Sequence, residues 1–301
     1  NSNGAIQSAN FANALGSFAS VTLGAGTGVG GLEYVGSGET FAKNITLAGT
    51  NTTGNYIAAN GSGALVLSGD LTATATNTLR LIGQSGGYFN PIKNEVSGII
   101  SEGSFVLSLA MPATANDDRF GITSRWALTN AANDFSGKIT VNIGMLEIGG
   151  ALGAGGAVST SQLGDLTVAR TIDLGTNNFD GRRYDNYGSG DQIGAGGAGQ
   201  GTNTLVPNSG SVGSIIFNST DTTTFTVPTL VSWTQSYSST SNPGAGQIIN
   251  IGAGAAVTQG SLTSGASGNR AWILDGTNTG TNTLSGVISN GNSHVVSVTK
   301  E

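Results

Sequence analysis

The run DGRRYDNYGSGD, Asp180 to Asp191, puts three Asp, two Arg and two Tyr into one glycine-rich stretch. Oxygens of Asp185, Asn186 and Asp191 could hold Ca²⁺. Arg182, Arg183 and Tyr184 could contact a sugar or a protein partner. The spacing does not fit a Ca²⁺ loop with Gly at its sixth place and Glu at its twelfth. The plainer reading is a solvated loop in which Arg182 and Arg183 pair with the aspartates. Asn116-Asp117-Asp118-Arg119 reads in the same way, as a polar turn after Pro112.

A Ser-His-Asp triad would have to use His294, the one histidine. His294 opens a run in which it alternates with Val296 and Val298, so it reads as a strand-edge residue. The glycine runs Gly24 to Gly28 and Gly194 to Gly197 precede no helix that could present its N-terminus to phosphate. Trp126, Trp233, Trp272, Tyr34, Tyr56 and Tyr237 could stack on sugars if exposed. Trp126 and Trp272 sit in alternating runs and are expected to pack inside. Trp233 and Tyr237 are the best candidates for an exposed aromatic contact. A polysaccharide lyase or hydrolase needs clustered carboxylates, or a carboxylate beside a base, on one face. Outside Asp180 to Asp191 no such cluster stands out, and a non-catalytic protein without a cofactor is expected.

The elements that carry these residues are short. Gly makes up 50 of 301 residues, charged residues 9%, and there is no cysteine. Disulfides, thiolate metal sites and a cysteine nucleophile are therefore excluded. The net charge is −6 and the only basic cluster is Arg182-Arg183, which leaves no footprint for nucleic acid. No apolar run approaches the ~20 residues of a membrane-spanning helix. Runs with helical spacing are nearly absent. Many brief runs of Val, Ile, Leu and Thr alternate in period two between Gly, Asn, Asp and Ser. They predict an all-β chain of sandwich, barrel or solenoid type.

Internal echoes choose the solenoid. NEVSGIISEG at Asn94 and NTLSGVISNG at Asn282 share one frame, 188 positions apart (282 − 94). Ala-Leu-Gly recurs at Ala14 and Ala151. Stacked coils explain such repetition, because each coil meets the same surroundings and can ladder Asn, Thr and Val along the axis. Glycine is expected at corners with positive φ. The echoes divide one continuous solenoid, 1–301, into approximate units 1–149 and 150–301, with an insertion within about 177–243. At a working ~20 to 25 residues per coil the chain makes on the order of a dozen coils.

The run Trp126-Ala127-Leu128-Thr129-Asn130-Ala131-Ala132-Asn133-Asp134-Phe135-Ser136-Gly137 resembles the opening of the autotransporter-associated β-strand repeat, W-x-L-[ST]-G-x-N-x-[YF]-[ST]-G. Lys138 to Ile148 is similar to its T-x-V-N-x-G-x-L-x-[VI] continuation, Gly150-Ala151-Leu152-Gly153 to its A-L-G, and Val298-Thr299-Lys300 to its L-T-K. Trp272 to Gly280 and Gly36 to Thr40 add to the likeness. Asn130 stands where the family has Gly, and 177–243 matches poorly. The resemblance is to the long extracellular type found in planctomycete- and verrucomicrobia-like bacteria. It implies a right-handed parallel β-helix (β-solenoid), exported and displayed at the bacterial cell surface. Repeats without a catalytic cluster, a cysteine-free polar surface and open ends point to a structural stalk, fibre or filament, with further repeats of the same polypeptide, or copies of itself end to end, as partners. An adhesin that binds polysaccharide or another cell through 177–243 is the alternative. The chain is read as a processed protomer or a slice of a longer array, with no helix or charged cap at either end.

Overall fold

Alternation of apolar and polar residues buries one face of each short strand and leaves its backbone seeking partners on both sides. The computed structural model answers that need by coiling. It describes residues 4–50, 54–83, 92–111, 125–141, 144–150, 160–174, 212–219, 225–227, 230–235, 244–252, 257–259, 262–264, 270–290 and 295–300.

Turn one comprises β1 (Gly4–Ser8), a short helix α1 (Phe11–Ala14) and β2 (Ser20–Leu23). Turn two follows with β3 (Gly30–Tyr34), β4 (Glu39–Phe41) and β5 (Asn44–Leu47). Turn three holds β6 (Asn55–Ala59), β7 (Leu65–Leu67) and β8 (Leu71–Ala73). Turn four holds β9 (Asn77–Gly83), β10 (Lys93–Val96) and β11 (Ile100–Ser101). Among the described residues, turn five holds β12 (Leu107–Met111) and β13 (Arg125–Leu128). Turn six has β14 (Ile139–Val141), β15 (Gly144–Gly150) and a small hairpin, β16 (Thr160–Ser161) with β17 (Gly164–Asp165). Turn seven resumes with β18 (Arg170–Leu174), β19 (Val212–Ser219) and β20 (Phe225–Thr226). Turn eight is β21 (Val231–Gln235), β22 (Gly244–Asn250) and β23 (Val257–Gln259). The last two are β24 (Leu262–Ser264), β25 (Arg270–Asp275) and β26 (Thr283–Leu284), then β27 (Ile288–Asn290) and β28 (Val296–Lys300).

The first strand of every turn joins sheet 1, β1-β3-β6-β9-β12-β14-β18-β21-β24-β27. From turn two onward the second joins sheet 2, β4-β7-β10-β13-β15-β19-β22-β25-β28. The third forms two separate stacks, β2-β5-β8-β11 and β20-β23-β26. Pairing along all of these is parallel. The chain is all-β with almost no helix, and its parallel sheets are consistent with a β-helix. Successive turns lie 26 residues apart from Gly4 to Gly30, 24 from Asn55 to Leu79 and 33 from Ile139 to Ile172. One step, Arg170 to Val231, takes 61 residues. Turns are thus longer and fewer than 20 to 25 residues per coil implies. Parts of the span 177–243 are regular: β19, β20 and β21 take ordinary places in the stacks.

Inward residues stack in columns. One runs Ile6, Leu32, Ile57, Leu81, another Phe41, Leu67, Val96, Leu128, Ile148, Phe217. Over β19, β22 and β25 the outward face of sheet 2 is buried as well, through Ile216, Ile249, Ala271 and Ile273. These strands read as continuous apolar runs, as two-sided burial requires.

The two copies of the shared frame do not stack as equivalents. Asn94-Glu95-Val96-Ser97-Gly98-Ile99-Ile100 turns the corner from sheet 2 to the third sheet, whereas Thr283-Leu284-Ser285-Gly286-Val287-Ile288 turns from the third sheet to sheet 1. The corner glycines Gly69, Gly98 and Gly137 are absent from the glycines of positive φ, against expectation. Each instead lies against the previous turn. A Cβ there would overlap a carbonyl oxygen of Lys43, Gly69 or Leu107 respectively.

A helix does cover one edge, which corrects the expectation of an uncapped first turn. The Asn10 side chain accepts the Asn13 N–H at 2.8 Å and caps α1. The Glu39 carboxylate accepts the N–H groups of Phe11 and Ala12, each at 2.8 Å. The buried Phe11 ring packs 5.5 Å from Phe41 and 5.7 Å from Tyr34. The first turn therefore places α1 over β4 where a strand of sheet 2 would otherwise lie.

Candidate functional site

Arg182, Arg183, Tyr184, Asp185, Asn186, Asp191 and Tyr237 lie outside the described residues, as do Asn116 to Arg119 and His294. Trp233 is described and is fully buried, so it is not the exposed aromatic contact for which the sequence makes it a candidate. It points inward from β21, in column with Ile172 and Leu262, and its ring lies 6.5 Å from Phe217. The period-two alternation of Val231, Trp233 and Gln235 is the sequence signal that places it inside. Trp126 and Trp272 are also fully buried. Tyr34 is buried and its hydroxyl accepts the Gly38 N–H at 2.6 Å. Tyr56 lies over Gly31, where a Cβ would collide with its ring, and the Arg80 guanidinium stands 5.5 Å from its centroid.

The chemistry that the described residues carry is directed from turn to turn. Buried asparagines act as clasps between coils. Asn55 Oδ1 accepts the Gly30 N–H at 2.9 Å, and Asn94 Oδ1 accepts the Leu65 N–H at 2.9 Å. Asn133 Oδ1 accepts the Ile100 N–H at 2.8 Å while its Nδ2 donates to the Gln162 carbonyl at 3.0 Å. Acidic side chains do the same at corners: Asp70 accepts from Ile99 N, and Asp134 from Glu102 N. These contacts satisfy backbone groups that a strand ladder leaves open.

Two fully buried carboxylates stand on the outward faces. Glu147 Oε2 accepts from Arg125 Nε at 3.0 Å and Nη2 at 2.7 Å, and Oε1 accepts from Asn218 at 2.8 Å. Lys93 Nζ lies 3.7 Å from the same carboxylate. On sheet 1, Lys138 pairs with Asp173. Inside, Arg170 donates to the Phe135 carbonyl at 2.6 Å, with its guanidinium 5.0 Å from the Phe135 ring centroid. Its Nε and Nη2 have no hydrogen-bond partner among the described residues. Burial pushes its pKa down to about 10, against the opposing charges of Asp165 and then Glu102. Sequence reading singled out none of Glu147, Asp173 or Arg170, since each is a lone charge in a strand.

Among the described residues no group of three His, Cys, Asp or Glu is placed to hold a metal ion, and no helix is long and apolar enough to cross a membrane. A cavity of about 300 Å³ opens beside β25, β26 and β28, with Ile248, Leu274 and Leu284 as apolar lining and Asn250, Asp275 and Lys300 as polar lining. Column residues emerge at both faces of the described stack: Ile6 is 42% exposed, Ile288 43% and Val298 42%. The chain can accept another coil there by main-chain pairing and apolar contact.

No family model matches the chain, and no solved structure matches it. It is similar to the adhesin BmaC autotransporter of Brucella suis biovar 1 (strain 1330), with 31% identity over 185 residues, which is 58% of this chain. The chain spans only 4% of the length of that curated relative.

Proposed function

We propose that this chain is a length of right-handed parallel β-helix in an exported protein of the bacterial cell surface, and that it serves as a non-catalytic stalk built by stacking coils. The observation that carries this reading is the unbroken parallel register of sheets 1 and 2 through the described turns. The likeness to an autotransporter adhesin supports the location and the class. Further coils add at the faces of β1 and of β27 and β28, from the same polypeptide or from a second copy head to tail, a contact that gives open filaments. The carboxylates of Glu102, Glu147 and Asp173 are engaged by hydrogen bonds or ion pairs, which favours structural over catalytic work. The test is labelling of intact cells with antibody to this chain, followed by electron microscopy. Fibres labelled at the cell surface agree with the reading. Label that reaches the chain only after permeabilisation sinks it.

The adhesin likeness favours a second reading, in which this segment itself binds polysaccharide or another cell through 177–243. Arg182, Arg183, Tyr184 and Tyr237 remain its candidate contacts, and Asp185, Asn186 and Asp191 its Ca²⁺ oxygens. Binding to a glycan panel that drops in R182A/R183A or Y237A, or on adding a chelator, supports it. A blank panel removes it.

A further inference from the structure

We propose that turns five and six form a yielding joint in the stack, which opens before its neighbours and is held shut by Glu147 and Asp173. The inference does not depend on the stalk reading. Three observations converge on the same place.

First, among the described residues the third sheet stops at β11 and resumes at β20. Residues 129–138 make no strand, and the hairpin β16–β17 pairs only with itself, antiparallel. In these two turns the third ladder is reduced to the single main-chain bonds from Asp134 N–H to the Ile100 carbonyl at 3.1 Å and from Asp165 N–H to the Phe135 carbonyl at 3.0 Å, with the Asn133 side chain between them. A solenoid is stable through contacts between neighbouring repeats, so a thinned interface is a local minimum of cooperativity.

Second, the interior is polar there. Asn133, Ser161, Gln162 and Arg170 are all buried at this break. Arg170 leaves Nε and Nη2 unpartnered among the described residues, an arrangement that costs folding free energy in a low-dielectric core.

Third, every ion pair formed between described residues crosses this region. Arg125 on β13 and Lys93 on β10 reach Glu147 on β15, and Lys138 reaches Asp173 on β18. Glu147 also takes a hydrogen bond from Asn218 on β19, so one carboxylate ties four successive strands of sheet 2. Both carboxylates are completely buried, so each holds the joint only while its partner remains. The charges staple sheets 1 and 2 where the third sheet is interrupted.

Hydrogen exchange followed by mass spectrometry on the intact chain tests this. In the wild type, amides of residues 125–141, 144–150 and 160–174 should exchange as one block, on the order of 100-fold faster than those of β6 and β9. E147Q and D173N should each speed exchange of that block by a further factor on the order of 100 and leave β6 and β9 unchanged. One uniform protection level across 55–83 and that block in the wild type overturns the joint. Variants that lower protection equally in both regions overturn the part given to Glu147 and Asp173. If either variant fails to fold, the wild-type pattern still decides.

Discussion

Gly98 rests directly on Gly69 of the turn before, so closely that a Cβ at position 98 would occupy the space of the Gly69 carbonyl oxygen. The Ser-Gly pair recurs as Ser68-Gly69, Ser97-Gly98 and Ser136-Gly137, the last at the corner into sheet 1. At Gly98 the N–H donates to the Leu67 carbonyl at 3.1 Å, and the next residue, Ile99, donates to Asp70 at 2.9 Å. Close stacking, rather than a left-handed backbone, fixes glycine there.

A pair of alanine substitutions separates these two reasons for glycine. G98A should destabilise by about 3 kcal/mol or more, because backbone of the adjacent turn must move. Gly103 has φ of 61° and open space around it, so G103A should cost only about 1 kcal/mol. Urea unfolding of both variants is the check, and equal losses would contradict the stacking argument.

Replacing Asn133 by Ala removes an acceptor for Ile100 N and a donor to Gln162 O, both buried. A loss of about 2 to 3 kcal/mol is expected. Asn130→Ala, on the half-buried outer part of the same loop, should cost less than about 1 kcal/mol. Thermal melts of the two variants measured together test the clasp role.

Trp233→Ala should act on stability and not on recognition. The ring is buried against Phe217, so truncation should cost about 3 to 5 kcal/mol. A variant that melts like wild type yet loses glycan binding would place the ring at a surface.

Arg170 gives a prediction in pH. Its folded-state pKa, about 10, lies below the ordinary arginine value. Between those two values the unfolded chain holds more protons, so this residue makes stability rise with pH there. Below about 10 the buried charge is a constant cost. R170M should therefore be at least as stable as wild type at pH 7, since the Phe135 carbonyl still receives the Asp165 N–H at 3.0 Å. It should also remove part of the rise above pH 10. Paired urea titrations at pH 7 and 11 measure both, and a large loss at pH 7 would mean that the guanidinium has a strong partner.

Sequence alone determined that the chain is all-β, with short alternating strands and glycine at corners. Those properties follow from local rules: period-two burial, β-branched preference and the steric demands of turns. Alternation also held the answer for Trp233, since Val231, Trp233 and Gln235 share a face; its place within 177–243, read as an insertion, made it a candidate for exposure instead. What only the tertiary structure decided is which turn meets which. At Gly69, Gly98 and Gly137 the Ser-Gly pair sits where one coil's backbone presses on another, and these are not all the same corner, so the pair marks a corner without saying which. Trp126 and Trp272 show the same limit. Both point inward from sheet 2, yet Trp126 lies in column with Leu274, and Trp272 with Gly246. Register depends on the lengths of all intervening loops and on the stacking of neighbours, quantities that no local motif carries. For the same reason Glu147, Asp173 and Arg170 read as isolated charges. Their meaning came from partners 22 to 71 residues away, brought within reach only by the coil.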